Sequence, residues 1–157
     1  MKKIVKFVLV LLCMLTIFFF SSDNADQSNK KSDGVIIRTS EILLGRELNN
    51  REKENIINRF VIPVRKTAHF TIYFILGLCF INLLKEYMVI DKRSIVYTIL
   101  FVAVYACSDE LHQLFVSGRS GELLDVFIDT TGGFVGSIVY KIIYDRRRKH
   151  EQEKTVS

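Results

Sequence analysis

The stretch VYACSDELHQLF, Val104 to Phe115, decides how this chain is read. Ser108, Asp109, Glu110, His112 and Gln113 follow directly on the apolar run SIVYTILFVAVYAC, Ser94 to Cys107. A run of that kind enters lipid as a helix, because a backbone in hydrocarbon must satisfy its own hydrogen bonds. Ionisable groups at its end are costly in lipid unless partners reach the same depth. The reading therefore turns on where such partners come from.

Three further apolar runs flank it. They are IVKFVLVLLCMLTIFFF (Ile4 to Phe20), TAHFTIYFILGLCFINLL (Thr67 to Leu84) and LLDVFIDTTGGFVGSIVYKIIY (Leu123 to Tyr144). Each is close to the ~20 residues a spanning helix needs. With 49% apolar residues in 157, the composition points the same way. The expected fold class is all-α: one integral membrane domain, residues 1–157, with spans at 4–20, 64–84, 94–113 and 122–144. An outer loop fills 21–62 and a basic tail 145–157. Lys2, Lys3 and Lys6 give the first run the basic start of a signal peptide, but no small-x-small cleavage site follows FFFSSDNADQ, so it reads as a retained helix.

The net charge of +5 would suggest nucleic acid in a soluble domain. Here the placement of the charges excludes that reading. Lys2, Lys3, Lys6, Lys85, Lys92, Arg93, Lys141, Arg146, Arg147, Arg148, Lys149 and Lys154 fall at one side of the four spans, whereas Arg65, Lys66 and Arg119 are the basic residues of the short positions on the other. The positive-inside rule then puts both termini in the cytoplasm and makes this a multi-pass protein of the cell membrane. Cys13, Cys79 and Cys107 occur one per run, with no metal-ligand or disulfide spacing, and read as buried small apolar residues.

Within 21–62, SSDNADQSNKKSDG reads as irregular, Val35 to Leu44 as a short amphipathic helix on the outer leaflet or a surface loop, and NREKENIINRF as helix-compatible. Pro63 is suited to start the second span. Gly132 and Gly136 form a small-xxx-small pair that favours close packing inside the bundle, with Gly77 and Ala103 as possible partners.

In this topology Arg65, Lys66 and His69 lie at the outer end of the second span. Asp109, Glu110, His112 and Gln113 lie at the outer end of the third, Arg119 in the turn, and Glu122, Asp125 and Asp129 in the outer half of the fourth. Arg65 and His69 are one helical turn apart, as are Asp109 and Gln113, and Asp125 and Asp129, so each span carries a polar stripe. Asp129 is too deep and too short to snorkel to water, and Arg65, Arg119 and His69 are its expected donors. Lys66, offset from the stripe, is expected at the phosphate level. The competing reading is a set of interfacial residues with structural pairs.

The motifs VRKTAHFTIYFILG and SDELHQLFVSGRSGELLDVFIDTTGGFVG resemble the VanZ-like family of small bacterial membrane proteins. The match rests on Arg65-Lys66-x-x-His69-Phe70, Asp109-Glu110-x-x-Gln113, Gly118-Arg119 and Asp125-x-x-x-Asp129 with the following glycines, and Phe20 to Ser22 resembles the family's exit from its first helix. The family's namesake is associated with reduced susceptibility to teicoplanin in Gram-positive bacteria, and the resemblance implies no particular reaction.

Three functions compete. One is an envelope protein of resistance type whose polar pocket binds a lipid-linked wall precursor or the glycopeptide. Its ligand-binding residues would be Arg65, Lys66, His69, Asp109, Glu110, Gln113, Arg119, Asp125 and Asp129. The second is an enzyme acting on a lipid phosphate. His69, Asp109 and Glu110 are its catalytic candidates, with a divalent ion among Asp109, Glu110, His112, Asp125 and Asp129. The third is a proton-coupled transporter, disfavoured by four short spans without an inverted repeat. No cofactor is expected, no metal site is assigned, and the bilayer is the expected partner.

Overall fold

The computed structural model describes residues 2–119 and 121–156. Five helices account for them: α1 (Lys2–Ser21), α2 (Ala25–Leu44), α3 (Asn50–Leu84), α4 (Lys92–Gln113) and α5 (Leu123–Val156), and no strand occurs among the described residues. Four of them, α1, α3, α4 and α5, are long and apolar enough to cross a membrane. Their cores fall where the apolar runs predict.

The segment before Pro63 differs from the sequence reading. The polar stretch after Ser21 is helical from Ala25, because the Asn24 side chain accepts the Gln27 N–H at 2.9 Å and supplies an N-cap. Helix α3 begins at Asn50 rather than at Pro63, which lies inside it. A capping box starts it: Asn49 accepts the Glu52 N–H, and the Glu52 carboxylate accepts the Asn49 N–H at 3.0 Å. The 35 residues of α3 make a rod about 52 Å long. That exceeds the ~30 Å hydrocarbon core of a bilayer.

The first part of that rod pairs with α2 as an antiparallel hairpin closed by Gly45, whose positive φ of 65° suits glycine. The Glu41 carboxylate accepts the Leu48 N–H at 3.1 Å and meets Lys53 at 3.3 Å; the Leu48 bond, ahead of Lys53, holds it below the usual carboxylate range. Ile36 and Leu48 are buried in the hairpin, while Val35, Ile42, Leu43 and Leu44 are exposed.

Helix α3 packs most extensively on α5, and α4 lies against both. The α3–α5 seam is backbone against backbone. A Cβ at Gly132 would come within 2.4 Å of the Phe70 carbonyl oxygen, one at Gly136 within 2.3 Å of that of Phe74, and one at Gly77 within 2.3 Å of that of Gly133. The small-xxx-small pair thus packs within the bundle, with Gly77 as expected; Val102 rather than Ala103 meets Gly133 from α4. Helix α1 lies on α3 and α4, burying Val10 and Ile17 with Tyr73, Leu76, Val102 and Ala106. The Tyr105 hydroxyl donates to the Met14 carbonyl at 2.6 Å. Cys13 and Cys79 are half-buried with their sulphurs 3.8 Å apart, whereas Cys107 is exposed on α4 rather than buried.

Candidate functional site

The ridge of α3 that meets the glycines of α5 runs through Phe70, Phe74 and Gly77. Lys66 lies one turn before Phe70 and therefore faces α5 too. Its ammonium reaches Asp125 at 2.5 Å and Glu122 at 3.3 Å. Lys66, expected to be offset from the polar stripe, thus joins the cluster: it is the lysine, one position on from Arg65, that binds the acids of α5. Arg65 points another way and forms no ion pair among the described residues.

Glu110 accepts the backbone N–H of Glu122 at 2.8 Å and so caps the start of α5. Gln113 donates to Asp109 and Glu110, both at 3.4 Å, and to the Ser21 hydroxyl of α1 at 3.3 Å. His112 turns from the acids toward α1, with its Nε2 3.1 Å from the Ser22 hydroxyl and its ring 4.7 Å from that of Phe18.

Three side chains converge from three helices. His69 of α3, Asp109 of α4 and Asp129 of α5 bring one donor atom each within 4.8 Å of one another. Asp109 is held by the Tyr73 hydroxyl at 3.3 Å and by Gln113, both on its Oδ2. Asp129 is fully buried, and neither of its oxygens has a hydrogen-bond partner. His69 Nδ1 comes within 3.6 Å of it, too far for a hydrogen bond. Of the three donors expected for Asp129, then, His69 approaches; Arg65 and Arg119 do not pair with it.

The two arginines face a cavity of about 610 Å³ between α1, α2 and α3. Its walls are largely apolar, with Ile17, Phe20, Val35, Val64, Ala68, Ile72 and Ile75 among them, and His69 and Lys31 also line it. Arg119 donates from Nη2 to the Phe20 carbonyl at 3.3 Å, but its Nε and Nη1 are buried without partners. Burial, and after it the neighbouring positive charge of Arg65, pushes the Arg119 guanidinium below its ordinary pKa. An anion in the cavity would offset both costs. Lys31 is taken up by Asp23 at 2.5 Å. The contribution of α2 was not legible in the sequence, since residues 25–34 carry no apolar periodicity; the Asn24 cap was the available signal.

A family model described as VanZ/LLP1 matches residues 6–144. The chain belongs to the VanZ/LLP1 family. With four span-like helices, it is a multi-pass membrane protein. The matched range takes in most of α1, all of α2 to α4 and α5 as far as Tyr144, and so every residue of the family-like polar cluster and of the cavity. No curated protein and no solved structure matches the chain.

Proposed function

We propose that this VanZ-like protein binds the anionic head of an amphiphile at the outer leaflet of the cell membrane. The favoured ligand is a lipid-linked wall precursor, with a membrane-inserting glycopeptide as the other member of the class. Binding of this kind would contribute to teicoplanin-type resistance. The observation that carries the reading is the pair Arg65 and Arg119: neither makes an ion pair among the described residues, and both face an apolar cavity. A guanidinium binds phosphate or carboxylate in two-pronged fashion, and the apolar walls suit a chain. Lys66, Glu110, Gln113 and Asp125 stand outside the lining of the cavity and support it by joining α3, which carries Arg65, to α4 and α5. The N-in, C-in orientation follows from the Lys and Arg distribution, which puts the α2–α3 hairpin and the cavity outside.

Protein purified from a Gram-positive membrane tests this. Mass spectrometry of copurified lipid should show an enriched phosphate-bearing lipid with the wild type, reduced about tenfold or more in Arg65→Ala and in Arg119→Ala. An identical lipid profile in all three proteins would remove the reading. The second reading, an enzyme acting on a lipid phosphate, is favoured by the convergence of His69, Asp109 and Asp129.

A further inference from the structure

We infer that His69, Asp109 and Asp129 form a binding site for one divalent transition-metal ion. The site stands whether or not the cavity takes a lipid.

The first ground is convergence. One donor each from α3, α4 and α5 meets within 4.8 Å. Ligands on a single ion with bonds of about 2.1 Å lie roughly 3–4 Å apart, so small side-chain rotations close the set. The second ground is independent of that spacing. Asp129 is fully buried and both of its oxygens lack a partner. Other fully buried polar side chains are satisfied: Thr98 donates to the Ser94 carbonyl, Ser94 to that of Val89, and Ser137 to that of Phe134. A carboxylate left open in this way is costly unless something meets it.

Charge decides what that is. Two carboxylates and a neutral imidazole carry two negative charges, which one divalent cation balances. Lys66, three residues before His69 on α3, is committed to Asp125 and Glu122. The surroundings also look like an outer shell. Tyr73 and Gln113 both bind Asp109 through Oδ2. Orienting partners of this kind fix the rotamer of a metal-binding carboxylate. A mixed nitrogen and oxygen set suits Mn²⁺, Fe²⁺ or Zn²⁺, and three protein donors are too few for Ca²⁺. His69 also lines the cavity, so the ion would stand one helical turn from Arg65, where an incoming phosphate could complete its coordination.

The test uses the full chain in detergent, stripped with chelator and equilibrated with Mn²⁺. Wild type should bind about one ion per chain, with an imidazole nitrogen coupling in pulsed electron paramagnetic resonance. His69→Gln should lose that coupling, Asp129→Asn should lose the ion, and Tyr73→Phe should weaken binding about ten- to a hundredfold. Arg65→Ala should keep the ion even while it loses lipid, which separates failure of this site from failure of the lipid reading. Wild type that binds neither Mn²⁺ nor Zn²⁺ near stoichiometry would overturn the site, as would an ion retained in Asp129→Asn or a nitrogen signal unchanged in His69→Gln.

Discussion

The two ends of the bundle handle polar side chains in opposite ways. At the end where α1 begins, Lys6 donates to the Asn82 carbonyl at 3.0 Å and pairs with Glu86 at 2.6 Å. Tyr140 donates to the Asn82 side chain at 2.8 Å, and the Asp91 carboxylate caps α4 by accepting the N–H groups of Arg93 and Ser94. The Ser94 N–H, the larger influence, holds the Asp91 carboxyl below its usual range. At the end carrying the hairpin, the buried side-chain atoms without partners are those of Asp129, Arg119 and Asp33. Both ends cost desolvation, and at the second Asp129, Arg119 and Asp33 keep atoms that the protein does not meet. Unmet donors and acceptors in a folded chain call for an explanation, and a bound ligand is the one proposed above for this end.

The strongest way to break this comparison is to separate the helices that carry both ends. In Gly136→Val the new side chain meets the Phe74 backbone, which cannot rotate away. We expect loss of several kcal/mol and failure to recover folded protein from detergent, read by circular dichroism and gel filtration. A well-folded Gly136→Val protein would mean the seam is not the frame of the bundle.

Next in size is Asp129→Asn, which sharpens the contrast. It should remove any gain in teicoplanin tolerance conferred on a sensitive host. In chelator-stripped protein it should leave the melting temperature in detergent unchanged or higher, since it deletes a buried unpaired charge. A fall of many degrees would place Asp129 among the structural groups.

Smallest is Tyr140→Phe at the satisfied end. Losing one hydroxyl hydrogen bond should cost about 0.5–1 kcal/mol and leave tolerance intact. Loss of tolerance there would erase the distinction between the two ends.

Much of this was legible in the sequence. The four apolar runs marked the spans, and the polar residues following Cys107 pointed to one shared level of α3, α4 and α5. The helical phase of α3 was not legible. Arg65 and Lys66 differ by 100° around the helix, and only the contacts of Phe70 and Phe74 with the α5 glycines show which of them faces the acids. The hairpin was missed for another reason. Pro63 normally interrupts a helix by removing a backbone donor, but here the rod continues on both sides of it with α2 packed alongside. The Asn49-x-x-Glu52 capping box carried the true starting point of α3.

The thin packing of α1 bears on the order of assembly. Among the spans it packs on α3 and α4, both of which follow it in the chain. Of the four spans, α1 thus precedes the partners it packs on, and it must be at ease in lipid without them. Mean hydropathy accordingly falls in chain order across the four spans, from α1 to α3 to α4 to α5. The later spans α4 and α5 follow α3 in the chain, and the Lys66 that pairs with Asp125 of α5 lies on α3, ahead of it.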